Sequence, residues 1–478
     1  MRAPAGFPAG APFSNIQNGA NMKSLSEMSL TELLSPEGFD CTCGRRHKVD
    51  LRFFRMGDGA VEALPEALAL CGVGCPFVIS DRNTRQAAWP LVEPVLRRAG
   101  IPYGEYTYGE NHLEPDEHAL GSLAMAFDPR CDGILVVGSG VLNDVGKVFS
   151  HALRLPSLIV ATAPSMDGYA SDNASMVRDR VKVSLYNACP RAVIADTRVL
   201  CAAPERLLQA GLGDMVAKYL SICEWRISHL VTGEYYCENV AGLVRASLRR
   251  VIESAKGLKR RDETAVRNVM EGLLLSGIAM AFAQVSRPAS GLEHYFSHMW
   301  EMMALERGLP QELHGIQVGV GSLLTLGIWD WLREQTPSRE TAERFMRSFD
   351  EREWEATVRR IFGAAADTIL ASALKEGRND PAAHARRLER ILGHWPDILQ
   401  IAREELPPKA EVERLMRELQ MPLTPADIGF SREDTRDALL GSREIRNKYL
   451  TGTLLWDLGM LYRLPFPFEG EASLGGNA

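Results

Sequence analysis

The feature that most constrains this chain is a change of rhythm. Short β-branched runs, "PFVIS", "GILVV", "SLIVA" and "AVIAD", alternate with helix-like segments through the first half and stop before residue 205. Alternation of buried strand, turn and amphipathic helix is the pattern of βαβ units, which assemble into a parallel sheet. Long helical patterns then take over, as in "AGLGDMVAKYLSICEWRISHL" and "ETAVRNVMEGLLLSGIAMAFAQ". The chain is therefore expected to fold as an α/β nucleotide-binding domain with a parallel sheet over residues 31–204, followed by an all-α domain over 205–466. Its 478 residues exceed one ordinary core, which agrees with that division. Residues 1–30 and 467–478, rich in Gly, Pro, Ala and Asn, read as flexible tails. A ligand site is expected where the two domains meet, because domain clefts are favoured for binding.

Bulk properties narrow the partners. A net charge of -7 and a pI near 5.9 oppose a nucleic-acid role, which needs a basic stripe against phosphates. The basic run "GLKRRDE" reads as a solvated helix end. Runs such as "GILVVGSGVL" and "LPSLIVATAP" are too short to cross a bilayer, so no membrane span is expected. The start "MRAPAGFPAGAPFSNIQNGA" lacks the apolar stretch of a secretory signal. Nine cysteines, odd in number and scattered, fit a reducing cytoplasm better than a disulfide framework. Cys41, Cys43 and His47 in "CTCGRRHKVD" have ligand chemistry, but neither the usual zinc spacing nor a second pair nearby. Inert thiols at a turn are the expectation there.

Two turns carry nucleotide chemistry. "GILVVGSGVLNDVGK" leaves an apolar strand through Gly138, Ser139 and Gly140 and enters a helix that includes Val141 and Leu142. Glycines admit a pyrophosphate close to the backbone, and the helix start offers unpaired N–H groups. Asn143 stands where the third glycine of a dinucleotide fingerprint would fall. A tight structural turn explains the stretch equally well. The next strand end, "ATAPSMDGYASDNAS", gathers Thr162, Ser165, Asp167 and Ser171, which could face a ligand or cap a helix. Asp81 in "FVISDRNT" is placed to accept hydrogen bonds from a ribose.

Histidines four apart project from one helical face, as His294 and His298 do in "GLEHYFSHMWE". Asp214 follows a glycine at an expected helix start in "AGLGDMVAKY", and His314 marks a loop-to-helix junction in "LPQELHGIQVGVG". Asp, His and His would leave coordination positions open, as catalytic metal sites do. Read singly, each has a plain explanation as helix cap, packed histidine or loop hydrogen-bonder.

The ordered set "GSGVLNDVGK", "ATAPSMDGYAS", "GLGDMVAKY", "SRPASGLEHYFSHMWEM" and "HGIQVGVGS" resembles the bacterial-type sn-glycerol-1-phosphate dehydrogenases. That family lies within a wider group holding glycerol dehydrogenase, iron-type alcohol dehydrogenases and 3-dehydroquinate synthase. The resemblance implies a dehydroquinate synthase-like fold and a divalent metal on Asp214, His294 and His314, zinc before nickel or iron. It implies substrate contacts from Asp167 and His298, with Asp214 able to join them. It also implies an NAD or NADP site on Gly138, Ser139, Gly140, Val141, Leu142, Thr162, Ser165 and Ser171, with help from Asp81. The implied reaction interconverts dihydroxyacetone phosphate and sn-glycerol 1-phosphate. A cyclase or lyase of the dehydroquinate synthase kind, a dehydrogenase of unphosphorylated polyols, and a non-catalytic NAD-binding protein are the alternatives. Arg287 and Lys182 are candidates for the substrate phosphate. A homodimer in the cytoplasm is expected, and segment 338–410 matches no motif of the family.

Overall fold

A computed structural model describes residues 24–109, 113–178 and 181–465. Of the expected tails at 1–30 and 467–478, residues 1–23 and all of 467–478 lie outside the described residues, whereas 24–30 belong to the folded body. From Ser24 onward the chain is packed, and Leu25 in its first turn is buried against the helix Glu238–Ser254.

Ten strands are formed among the described residues: β1 (Phe39–Asp40), β2 (Arg46–His47), β3 (Phe53–Gly57), β4 (Pro76–Asp81), β5 (Gly104–Tyr108), β6 (Gly133–Gly138), β7 (Ser157–Ala161), β8 (Asn173–Arg178), β9 (Val181–Tyr186) and β10 (Ala192–Asp196). Six of them make one parallel sheet in the order β3-β10-β7-β6-β4-β5. Every residue of β6, β7 and β10 is buried, which is why these strands read as continuous apolar runs rather than alternations. The chain runs outward from β4 to β5 and returns to β6 on the other side of β4. Such a reversal opens a crevice at the carboxyl ends of the strands, where ligands bind in open α/β sheets.

Two antiparallel pairs lie outside this sheet, β1-β2 and β8-β9. The β8-β9 hairpin interrupts the αβ alternation between β7 and β10, packing on the helix Gly140–Leu153 and on the helix Leu292–Arg307. It bridges the two halves.

After β10 the chain is helical. The helix Glu263–Ala283 is long and apolar enough to cross a membrane, yet 72% of its apolar window is buried inside the protein. It is the centre of the helical core, packed against the helices Glu238–Ser254 and Glu205–Val216. Segment 338–410 forms the amphipathic helices Arg339–Arg347, Glu351–Phe362, Ala366–Glu376, Pro381–Gly393 and Trp395–Glu405. These are clamped to the body by contacts such as the Arg387 pair with Asp457 at 2.7 Å and His384 Nε2 to the Asp457 carbonyl at 2.9 Å.

Candidate active site

A cavity of about 840 Å³ lies between the sheet and the helices. Its floor is the turn after β6. Gly138 packs so closely on Leu142 that a Cβ there would stand 2.5 Å from the leucine side chain. Gly140 is open toward Met166, at ordinary contact distance, and Ser139 and Gly140 both line the cavity. Ser139 makes no side-chain cap, so the first N–H groups of the helix Gly140–Leu153 are free to meet an anion. The third fingerprint glycine, missing at Asn143, has its counterpart at Gly146. A Cβ on Gly146 would lie 2.3 Å from Val136, so Gly146 lets this helix lie against β6. Asn143 instead donates to the Gly168 carbonyl at 3.2 Å.

Val141, Ser165, Asp167 and Ser171 line the same cavity. Thr162 is buried, its N–H bound to the Gly138 carbonyl at 3.0 Å, and the Leu142 side chain belongs to the core. Asp81 caps the helix Arg82–Arg98, accepting from the Thr84 N–H at 2.8 Å, and lies apart from the residues lining the cavity.

Three helices bring the ligand candidates together. Asp214 sits near the end of the helix Glu205–Val216 rather than at a helix start, so it is not a cap. A Cβ on Gly213 would stand 2.0 Å from the Gly315 carbonyl, and one on Gly315 would stand 2.0 Å from that of Ala210. The glycines of "GLGD" and "HGIQ" therefore let the Asp214 helix touch the helix His314–Arg333 backbone to backbone. His314 is the first residue of the latter. The helix Leu292–Arg307 carries His294, His298 and Glu301. Its start is held by Glu224, which accepts from the N–H groups of Leu292 and Thr451, each at 2.9 Å. Burial and the neighbouring Glu293 push the Glu224 pKa up to about 7.

His294 Nδ1 is 2.9 Å from Glu293 Oε1, so that nitrogen carries the proton and Nε2 is left as a lone pair. Nε2 stands 3.6 Å from Asp214 Oδ1, and the His294 and His314 rings are 5.2 Å apart at their centroids. His314 Nδ1 lies 3.1 Å from Ser297 Oγ and 3.2 Å from Glu301 Oε1. Asp214 is fully buried, which opposes its charge, but Lys218, His294 and His314 outweigh that and hold it far below the carboxylate range. One carboxylate and two imidazoles with protonated Nδ1 are a donor set suited to a divalent ion. A neighbouring group, His298, Glu301 and His314, also has its potential ligand atoms all within 4.8 Å of one another. His314 belongs to both.

Four residues escaped the sequence reading. Lys218, one helical turn after Asp214, is buried and bridges Asp214 Oδ1 and Asp167 Oδ2, each at 2.8 Å. It fixes the position of Asp167, which also accepts from Ser276 Oγ at 2.8 Å. Glu301, one turn after His298, pairs with Lys182 and is held well below the usual carboxylate range by Lys182, His298 and His314 against its burial. Glu293 is the buried partner of His294, and Arg446 lines the cavity beside Lys182. The first three stand within motifs already singled out; the i+4 and i+3 spacing of Lys218 and Glu301 to Asp214 and His298 was the available signal, whereas adjacency gave none for Glu293. Arg287 is corrected: its guanidinium is 2% exposed and is taken up by Glu234, the Tyr449 carbonyl and Ser228. That structural commitment removes it as a phosphate ligand. No residue of 338–410 lines the cavity among those described.

A family model described as iron-containing alcohol dehydrogenase matches residues 55–204. A glycerol-1-phosphate dehydrogenase (NAD(P)+) of Halalkalibacterium halodurans is 34% identical over 294 residues, covering 61% of this chain and 74% of that protein. One from Methanosarcina mazei is 41% identical over 266 residues, 55% and 72% of the two chains. Among solved structures, a probable glycerol dehydrogenase from Sinorhizobium meliloti superposes with a TM-score of 0.56 at 16% identity, over 88% of this chain and 97% of its own. An NADH-dependent butanol dehydrogenase from Thermotoga maritima gives 0.55 at 14% identity, over 90% and 99%. The structural likenesses establish the fold.

Proposed function

The chain belongs to the glycerol-1-phosphate dehydrogenase family, and on that premise we propose that it interconverts dihydroxyacetone phosphate and sn-glycerol 1-phosphate with NAD or NADP. The observation that carries the reading is a single cavity lined by a helix-start phosphate cradle, by His294 and His314, and by the basic pair Lys182 and Arg446, with the buried Asp214 3.6 Å from His294. The cradle, Ser139 to Val141, receives the cofactor pyrophosphate through backbone N–H groups. Lys182 and Arg446 supply charge for the phosphate of the substrate, a role that an unphosphorylated polyol would not call on.

Asp214, His294 and His314 would hold the divalent ion, zinc before nickel or iron. When bound, it supplies Lewis-acid polarisation of the carbonyl that receives the hydride. His298 would take up the hydroxyl proton at Nε2 when the alcohol is oxidised, and return that proton to the carbonyl oxygen in the reverse reaction. Burial holds its imidazole neutral, with a pKa lowered to about 3 despite Glu301. Nδ1 lies 3.4 Å from Glu301 Oε2, which assigns the proton to Nδ1 and leaves Nε2 to accept a hydrogen bond from a substrate hydroxyl. Asp167, anchored by Lys218 and Ser276, orients the other hydroxyl.

The test is NADH oxidation by metal-supplemented protein given dihydroxyacetone phosphate, with dihydroxyacetone in parallel and the product's stereochemistry determined. Turnover of the phosphate ester to the 1-phosphate enantiomer is expected. Equal turnover of both substrates would overturn the assignment of Lys182 and Arg446. No net oxidation of NADH by metal-loaded protein would overturn the dehydrogenase.

A further inference from the structure

The "CTCGRRH" segment is a small hairpin. β1 and β2 pair Phe39 with His47 and Asp40 with Arg46, and the loop between them is closed by the Cys41 N–H to the Arg45 carbonyl at 3.0 Å and the Gly44 N–H to the Cys41 carbonyl at 2.9 Å. Gly44 has φ of 81°, the left-handed conformation that such a reversal requires. The fold then supplies what the local sequence lacks. Cys237, the N-cap residue of the helix Glu238–Ser254, is brought against this hairpin.

The ligand atoms of Cys41, Cys43, His47 and Cys237 all lie within 4.8 Å of one another. Cys41 Sγ to Cys237 Sγ is 3.7 Å, Cys43 Sγ to His47 Nε2 is 3.5 Å, and Cys237 Sγ to His47 Nε2 is 3.6 Å. A tetrahedral zinc centre with Zn–S of about 2.3 Å and Zn–N of about 2.05 Å has S–S edges of about 3.8 Å and S–N edges of about 3.6 Å. The observed edges match that figure. A disulfide would need about 2.05 Å between sulfurs, and it would use two of the four groups without accounting for the other two.

The surroundings are those of a metal site. His47 Nδ1 is 2.9 Å from the Phe282 carbonyl, which places the proton on Nδ1 and turns Nε2 toward the sulfurs. Asn239 Nδ2 donates to Cys41 Sγ at 3.2 Å, and the Tyr235 hydroxyl lies 3.3 Å from Cys43 Sγ. The Arg45 guanidinium, 3.3 Å from the Tyr235 ring centroid, offsets the net negative charge of three thiolates around a divalent ion. Three sulfurs and one imidazole, with no carboxylate among them, select zinc over the harder cations.

We propose that Cys41, Cys43, His47 and Cys237 bind one zinc ion in a closed, structural site separate from the Asp214, His294 and His314 centre. On binding, each thiol gives its proton to solvent and the imidazole contributes its neutral Nε2. None of the four residues lines the cavity, but Lys48, Val49 and Asp50, which follow His47, do. So do Ala281 and Gln284, on either side of the Phe282 and Ala283 pair at the end of the helix Glu263–Ala283. The ion thus ties the hairpin and the Cys237 helix together beside one wall of the cavity.

The test is metal analysis of the full-length His294→Ala/His314→Ala double variant, purified with zinc and dialysed against a mild chelator. About one zinc per chain is expected to remain. Cobalt exchanged into that variant should show sulfur-to-cobalt charge transfer and intense tetrahedral d–d bands, and Cys237→Ser should abolish them. Should either variant fail to fold, titration of the unaltered protein with an organomercurial decides: zinc released in step with modification of three thiols supports the site. Protein free of zinc, with the part-exposed Cys41 and Cys43 reacting at once, would overturn the proposal. So would a Cys41–Cys237 disulfide recovered from freshly purified protein.

Discussion

The two sets of proposed ligand residues in this chain differ in how they meet water. His294 and His314 line the large cavity, with His314 32% exposed and His294 6% exposed at their side chains, and Asp214 is buried beside His294. Cys41, Cys43, His47 and Cys237 have four ligands, no cavity and a ring of hydrogen bonds behind them. Three ligands with an opening leave coordination free for a reactant, whereas four closed ligands leave none. Position in the fold follows the same division. The open set is carried by three long helices locked at glycine contacts, which hold it rigid without a metal. The closed set joins a seven-residue turn and hairpin, Cys41 to His47, to a helix start, where little else would hold the pieces.

If that contrast is right, damage to the two sets should separate activity from stability. His294→Ala is expected to lower kcat/KM for dihydroxyacetone phosphate by about 10³-fold or more, with the melting temperature changed by only a few degrees. A steady-state assay beside a thermal melt measures both, and a collapsed melt with residual activity intact per folded molecule would break the comparison. Lys182→Ala should raise KM for the phosphate ester by about 10- to 100-fold, the worth of a charge-assisted contact, and change that for dihydroxyacetone far less. It also frees Glu301, so the Lys182→Arg variant, keeping the charge, should recover most of the loss. Cys237→Ser should do the reverse of His294→Ala: a fall in melting temperature of about 5–10 °C with kcat reduced less than tenfold.

The smallest effect sharpens the comparison from outside both sets. Arg307 ends the His294 helix and pairs with Asp434. The Arg307 contact, with help from Ser431, holds the Asp434 carboxyl down to about 2. A depressed carboxylate pKa contributes stability that is present above its unfolded value of 3.8 and lost as pH falls through about 2. With Arg307 44% exposed, solvent screening limits the contribution to about 0.5–1 kcal/mol. Asp434→Asn should therefore cost that much at neutral pH, flatten the acid limb of a pH-stability curve, and leave metal content and turnover unchanged.

These cases also show what the sequence could express. Strands buried on both faces announced themselves as apolar runs, because burial is written locally. The turn at Gly138 to Gly140 and the helix-junction position of His314 were legible for the same reason. The role of Asp214 was suggested by motif resemblance, since its immediate surroundings read equally well as a helix cap. Cys237 could not be joined to Cys41 and Cys43 from spacing, because 193 residues of helix and sheet separate Cys43 from it and only tertiary packing brings them together. Arg287 failed in the opposite direction: its charge suggested a ligand, while its actual partners, Glu234 and the Tyr449 carbonyl, lie on elements whose approach no local pattern signals. The β8-β9 hairpin was missed because an antiparallel insertion has no place in βαβ alternation.

The contact at Gly213 and Gly315 bears on ion selectivity. With each would-be Cβ only 2.0 Å from a carbonyl oxygen, those two helices are already in backbone contact and cannot draw closer. If Asp214 and His314 share an ion as proposed, closing on a smaller cation would fall to imidazole rotation, for which the part-exposed His314 has room. Discrimination by size would then be set by one ring's torsion angles rather than by a shift of helices.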